Sequence, residues 1–265
     1  MKFLPLYMLF SFYKYQGTGN DFVMIDNRAK TFPKENSVKI AAICNRHFGV
    51  GADGLILLEN DAETDFRMVY FNANGSEGSL CGNGGRCMVA FAKKLKIIES
   101  NTSFMAIDGI HYAHIENDFV ALQIADVDTI DVYKKHLCID TGSPHHIQLV
   151  ENIAEYPVFS EGKKIRNTMY GKAGSNINFV QQLDTNTFKV RTYERGVEDE
   201  TLACGTGVTA VAIGMHKIGK TKNNSIHVEV EGGTLEVSFY EEHGVYKNIY
   251  LKGTATFVFE GSIEV

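Results

Sequence analysis

No block of lysines and arginines occurs anywhere in these 265 residues, and the formal charge is −6, from 26 basic and 32 acidic side chains. Without a basic patch there is no electrostatic footprint for nucleic acid or anionic lipid. Local pairs such as Lys93-Lys94, Lys134-Lys135 and Lys163-Lys164 read as solvated faces. Also lacking is an apolar run approaching the ~20 residues of a membrane-spanning helix. The opening MKFLPLYMLFSFYKY has a lysine and then about ten mostly apolar residues, like a short signal segment, but no small-residue cleavage site follows. A buried first strand is expected there, with the residues before Met8 as a loose extension. Cysteine is scarce and odd in number: Cys44, Cys81, Cys87, Cys138 and Cys204. A chain of this size needs no disulfide staples, so a reducing cytoplasm is the expected setting.

What is present is ordinary globular composition, 44% apolar and 22% charged, in a length that suits one large or two small domains. Strand-like runs recur: FSFYKY, FVMID, DGLILLE, FRMVYF, FVALQIA, HHIQLV, INFVQQ, FKVRTYE, IHVEVE, GTLEVSFY, VYKNIYLKG and ATFVFEGSIEV. They mix period-two alternation with continuous apolar stretches. Three helical segments interrupt them, at about 36–47, 83–96 and 205–218. Many strands and few helices predict an α+β fold rather than a doubly wound sheet.

Two of those helices sit in matching surroundings. FRMVYFNANGSEGSLCGNGGRCMVAFAKKL and FKVRTYERGVEDETLACGTGVTAVAIGMHKIG each run strand, polar loop, cysteine, helix. This is an internal duplication at a domain-sized period, too long for a solenoid. The expected arrangement is two pseudo-symmetric domains, residues 1–127 and 128–254, with the last strand, about 255–265, returning to the first.

The duplicated cysteines, Cys81 and Cys204, each precede a Gly-x-Gly turn. Buried structural cysteines would sit among apolar neighbours, whereas glycine here suggests close approach of backbone to a ligand or positive φ. Zinc is disfavoured, because the spacing of Cys81 and Cys87 falls outside the usual range and Cys204 has no second cysteine nearby. A thiol at a helix N-terminus feels the helix dipole and unpaired N–H groups, which favour thiolate. The amides of Gly82, Asn83 and Gly84, and of Gly205, Thr206 and Gly207, form ready sites for a carboxylate. If both helix N-termini point into one cleft, one thiolate removes the proton α to that carboxylate and the opposite thiol protonates the other face. No lysine for a Schiff base and no metal spacing is in evidence beside them. Single-nucleophile catalysis with His145 or His146 would leave the duplication unexplained. GVGADG, residues 49–54, fits a dinucleotide fingerprint only formally, because that motif needs strand, glycines, then helix.

The chain resembles the diaminopimelate epimerase family, the two-cysteine epimerases that work without pyridoxal phosphate. The resemblance rests on YQGTGNDFVMID (15–26), RHFGVGADGLILL (46–58), FNANGSEGSLCGNGGRC (71–87), TGSPHHI (141–147), SNINFV (175–180) and YERGVEDETLACGTG (193–207). They follow the family's order across nearly the whole chain after about residue 8. The resemblance implies two domains, each a curled mixed sheet around a central helix, with the active site in the interdomain cleft. It implies interconversion of LL- and meso-2,6-diaminopimelate for lysine and peptidoglycan synthesis, a homodimer, and no cofactor or metal.

Carried over residue by residue, the resemblance makes Cys81 and Cys204 the acid and base. Asn20 lines the substrate pocket, Asn72 and Asn176 hold the distal amino-acid end, and Arg195 takes the distal carboxylate, where a bidentate fork suits the chemistry. Glu194 accepts from a substrate ammonium, and Gly82, Asn83, Gly205 and Thr206 donate to the reacting carboxylate. Two departures stand out. Gly54 replaces the glutamine of some members, and Ser143 replaces the asparagine many have before Pro-His, which leaves Ser143 a weaker binding candidate. The stretch from Glu194 to Cys204 also looks about one residue longer than in some relatives.

Overall fold

The fold is described from a computed structural model, for residues 8–78 and 80–264; the expectation for the residues before Met8 lies outside them. The first part of the chain comprises β1 (Leu9–Gly17), β2 (Asn20–Asp26), α1 (Ser37–Cys44), β3 (Gly54–Glu59), β4 (Phe66–Asn72), α2 (Gly82–Lys94), β5 (Asn101–Ala106) and β6 (Gly109–Glu116). Strand β7 (Phe119–Ile124) follows. The second part runs β8 (Ile130–Val132), β9 (Leu137–Asp140), β10 (Pro144–Leu149), α3 (Val158–Tyr170), β11 (Asn176–Gln182), β12 (Thr187–Glu194), β13 (Asp199–Thr201), α4 (Gly205–Lys217), β14 (Ser225–Val230), β15 (Gly233–Glu242) and β16 (Val245–Thr254). The chain ends with β17 (Thr256–Glu264). Two compact units result, one of residues to Val120 with those from Ala255 onward, the other Ala121–Thr254.

In the first unit, β17 pairs antiparallel with β1, β1 antiparallel with β2, β2 parallel with β3, β3 antiparallel with β4, β4 parallel with β5, and β5 antiparallel with β6. The second unit repeats this alternation: β9 antiparallel with β10, β10 parallel with β11, β11 antiparallel with β12, β12 parallel with β14, and β14 antiparallel with β15. The sequence duplication is thus a duplication of topology, with α2 and α4 at the same point of each order. The fold is α+β, a curled mixed sheet with few helices.

Helix α2 packs against β1, β2, β3, β4 and β6, and α4 against β9, β10, β11, β12, β14, β15 and β16. Ten of the thirteen residues in each helix are buried, the pattern of a helix enclosed on all sides. Strand β3, GLILLE, is buried at every position, because a strand covered on both faces reads as a continuous apolar run. The β1–β2 hairpin turns on Thr18 (φ 54°) and Gly19 (φ 83°), the two positive-φ residues of a two-residue turn whose twist suits the flanking strands. That turn places Asn20 at the first position of β2, opposite Gly17.

Sequence patterning predicts three helices, and the structure adds α3. Its weak signal has a physical source. Pro157 stands at the N-cap, and Gly162 lies mid-helix because an added Cβ would come 2.4 Å from the Tyr193 Cβ of β12. Strands β5, β6, β8, β9 and β13 also go unread in the sequence: β8, β9 and β13 are only three or four residues long, and β5 and β6 interleave polar residues with apolar ones. Segment 36–47 is helical only over Ser37–Cys44, capped by the Asn36 side chain accepting from the Lys39 N–H at 3.1 Å.

Candidate active site

In each unit the residues singled out by sequence gather at one end of the sheet, around the N-terminus of the enclosed helix. In the first unit these are Asn20 at the start of β2, Asn72 at the end of β4, and Cys81, Gly82 and Asn83 at the start of α2. In the second they are Ser143 just before β10, Asn176 at the start of β11, Glu194 and Arg195 at the end of β12, and Cys204, Gly205 and Thr206 at the start of α4. Strand ends and helix starts coincide here because each helix runs back through the sheet that its preceding strand has just left.

Both cysteines occupy N-cap positions with extended backbone, φ −93° and ψ 119° at Cys81 and φ −117° and ψ 107° at Cys204, and neither side chain caps its helix. The backbone oxygens begin the helices, accepting from Gly85 N at 2.7 Å and Val208 N at 2.9 Å. The sulfurs therefore stand beside the amide-rich helix start. Cys81 is half-buried and Cys204 is 7% exposed.

Cys81 Sγ donates to Asn20 Oδ1 at 3.4 Å, and Asn83 Nδ2 donates to the same oxygen at 3.3 Å. Asn20 Nδ2 in turn donates to Asp53 Oδ2 at 2.6 Å. Asp53 also receives Arg46 Nη2 at 2.6 Å, and Arg46 and Lys14 both pair with Asp21. Burial works against the Asp21 carboxylate, but hydrogen bonds from Arg46 and Lys14 hold it well below the usual carboxylate range. Arg86, on the inner face of α2, is fully buried. Its guanidinium donates to Thr18 Oγ1 at 2.8 Å and Asn83 Oδ1 at 3.0 Å, with a longer reach of 3.5 Å to Gly82 O. Sequence reasoning missed Asp53, Arg46, Thr18 and Arg86; a charged residue in an otherwise apolar inward helix face was the available signal for Arg86.

Around α4 the chemistry differs. Cys204 Sγ lies 3.5 Å from Thr206 Oγ1, and Thr141 Oγ1 donates to Thr206 O at 2.9 Å. Asn176 Oδ1 accepts the Arg195 N–H at 2.9 Å, Arg195 Nη1 donates to Ala173 O at 3.1 Å, and Thr201 Oγ1 donates to Glu194 Oε2 at 2.8 Å. Arg195 is exposed. Between Glu194 and Cys204 the chain forms a hairpin, β13 pairing antiparallel with the end of β12. Behind α4, His145 and His146 are both 1% exposed. Burial, then the nearby Arg195 charge, pushes His145 down to about 3, and burial followed by His136 pushes His146 down to about 4. Both are neutral near pH 7.

The Asn72 amide is engaged by its own turn, donating to Ser76 O and Oγ at 3.3 Å, while Tyr70 Oη donates to Asn72 Oδ1 at 3.2 Å. A Cβ at Gly54 would lie 2.5 Å from Tyr70 Cε2 and 2.6 Å from Phe71 O. Tyr70 thus takes the space beside Gly54 and brings its hydroxyl to Asn72.

Cys44 and Cys87 are core residues, pushed up by burial to about 11 and about 12. Cys138 differs from these two: it is half-buried and lies 3.2 Å from Tyr170 Oη. Its Sγ and ring nitrogens of His136 and His146 lie within 4.8 Å of one another. The two imidazoles stack with planes 13° apart, so their in-plane lone pairs run in nearly parallel planes and do not converge on a shared ion. In GVGADG the observed order is α1, glycines, β3, the reverse of the dinucleotide motif. No helix among the described residues is long and apolar enough to cross a membrane.

Comparison with known proteins agrees with this architecture. The family model for diaminopimelate epimerase matches residues 12–127 and 137–258. The chain is 58% identical to the diaminopimelate epimerase of Flavobacterium psychrophilum, over 95% of this chain and 99% of that one. It is 41% identical to that of Chlorobaculum tepidum, over 93% and 98%, and 38% identical to that of Aquifex aeolicus, over 95% and 97%. Among solved structures, a phenazine biosynthesis protein of the PhzF family from Bacillus anthracis superposes with a TM-score of 0.79 at 14% identity, covering 97% of this chain and 100% of that one. A hydroxyproline epimerase from Agrobacterium vitis gives 0.70 at 12% identity, covering 97% and 93%; both likenesses speak to fold alone. With matched segments spanning both units and a 58% identical relative covered almost end to end, this chain belongs to the diaminopimelate epimerase family.

Proposed function

We propose that this protein interconverts LL- and meso-2,6-diaminopimelate without a cofactor, with Cys81 and Cys204 as opposed acid and base on either face of one α-carbon. The observation that carries this reading is the repeated placement of a cysteine, uncommitted to capping, at the start of the enclosed helix in each unit. One thiolate takes the α-proton and becomes a thiol, while the opposite thiol gives its proton to the other face and becomes a thiolate. Charge and protons balance, and the carbon is inverted. Amides of Gly82, Asn83, Gly205 and Thr206 stabilise the charge that develops on the carboxylate. Asn72, Asn176, Glu194 and Arg195 hold the distal amino-acid end, with Asn20 and Ser143 lining the pocket. Because turnover requires one thiol and one thiolate, the rate is bell-shaped in pH. The protein works as a cytoplasmic homodimer in lysine and peptidoglycan synthesis.

The test is incubation with LL-diaminopimelate in heavy water, followed by NMR. Deuterium at an inverted α-centre is expected. Untouched substrate, or full turnover by Cys81→Ala or Cys204→Ala, would overturn the reading; proline and 4-hydroxyproline serve as competing substrates.

A further inference from the structure

The hydrogen bonds around Cys81 form a directed chain. It begins at Arg86, a group that only donates, and ends at Asp53, which only accepts when ionised. Arg86 Nη2 donates to Asn83 Oδ1, Asn83 Nδ2 donates to Asn20 Oδ1, and Asn20 Nδ2 donates to Asp53 Oδ2, at 3.0, 3.3 and 2.6 Å. An isolated amide can turn over and exchange its oxygen for its nitrogen. Here neither can: a flipped Asn83 would aim N–H at the guanidinium, and a flipped Asn20 would aim oxygen at the carboxylate. The oxygen of Asn20 is therefore fixed toward Cys81, whose sulfur donates to it at 3.4 Å.

Arg86 makes this chain a charged one. It is fully buried and Nε has no hydrogen-bond partner, and it takes part in no ion pair among those of the described residues. Burial lowers it from the ordinary arginine value, yet a guanidinium stays charged at any working pH. Room for it comes from Gly17, where a Cβ would lie 3.1 Å from Asn83 O, 3.2 Å from Cys87 Sγ and 3.4 Å from Arg86 Nη2. At the same offset from the second cysteine stands Thr209, buried, with its hydroxyl donating to Gly205 O at 3.0 Å. The topological duplicate therefore has no cation at this position.

Resting on the reading of Cys81 as an acid/base group, we infer that Arg86 and Asp53 are positioning residues for Cys81 alone, acting through the locked amides of Asn83 and Asn20. Their effects on the sulfur oppose each other. The buried cation favours thiolate, whereas the fixed Asn20 oxygen, held by Asp53, favours the thiol. Other titratable groups on or facing α2 and its neighbouring strands are Cys87, Tyr13 and Tyr15, Tyr70 on β4, and the paired Asp21, Lys14 and Arg46.

The test is iodoacetamide alkylation of the full-length protein across pH, followed separately at Cys81 and Cys204 by peptide mass spectrometry. The midpoint of each pH–rate curve is read because access to the sulfur scales the rate without moving the midpoint. Arg86→Gln is expected to raise the Cys81 midpoint by about one pH unit, as expected for loss of a nearby buried charge. Asp53→Asn frees Asn20 to turn an N–H to the sulfur and is expected to lower it. Cys204 should keep its midpoint in both. Asp53 is partly exposed, so Asp53→Asn tests the chain even where Arg86→Gln fails to fold, and Arg86→Lys, retaining the cation, should keep the Cys81 midpoint near its wild-type value. A Cys81 midpoint unmoved by Asp53→Asn, or a Cys204 midpoint that moves equally, would overturn the inference. Absence of wild-type turnover would instead sink the proposed function and leave the alkylation result standing.

Discussion

The side-chain oxygen of Asn176 accepts the backbone N–H of Arg195 at 2.9 Å, which ties the first residue of β11 to the residue just past β12. That bond sets where the Arg195 side chain leaves the sheet, and Ala173 O steadies its guanidinium. Arg195→Ala is expected to raise KM for diaminopimelate at least about tenfold with a smaller change in kcat, the signature of lost uniform binding. Arg195→Lys should recover little, because a point charge does not reproduce a bidentate fork. Asn176→Ala should shift KM in the same direction. Steady-state kinetics decides it, and an unchanged KM would place Arg195 outside the substrate site.

Gly54→Gln, the residue that the family resemblance suggests for this position in some members, is expected to harm this protein. The new Cβ meets Tyr70 Cε2 at 2.5 Å and the backbone oxygen of Phe71 at 2.6 Å. The oxygen belongs to the β3–β4 pairing and has no room to retreat. A loss of about 1–3 kcal/mol, typical of overpacking, should appear in denaturant melts.

Gly162→Ala sets two effects against each other. Alanine gains about 1 kcal/mol of helix propensity over glycine. Its Cβ, however, lies 2.4 Å from the Tyr193 Cβ, and both groups are buried. The clash is expected to win, so the melting temperature should fall; a rise would show that α3 can lift from β12 at little cost.

Acid stability follows from the two buried histidines. In the folded chain His145 is held down at about 3 and His146 at about 4, against an ordinary value near 6.5. Between those limits the unfolded chain binds protons that the folded chain does not, so stability falls as pH drops below about 6.5. The slope is about 1.4 kcal/mol per pH unit for each histidine. Melts at pH 7.5 and pH 5 should separate, and His145→Gln or His146→Gln should shrink the separation. An undiminished difference would assign the acid loss to other groups.

Much of the site was legible because its chemistry is local. A cysteine before Gly-x-Gly at a helix start is a short-range pattern, and its recurrence at corresponding places betrayed the duplication. Arg195 and Asn176 were legible only through the resemblance, since an asparagine before a strand has many uses. Arg86 and Asp53 escaped altogether. Asp53 reads as part of a glycine-rich turn, and Arg86 reads as a surface cation until the sheet is seen to enclose its helix.

By itself, the sequence determined the elements that depend on neighbours a few residues away: the near-continuous apolar run of β3, the two cysteine-headed helices and the family to which they point. Tertiary structure alone decided which amides face Cys81 and which way they point. That outcome needs Asp53 and Asn20 brought together across 33 positions, and Arg86 and Thr18 across 68. Such contacts form only when strands far apart in the chain pair in register, and no local propensity encodes them.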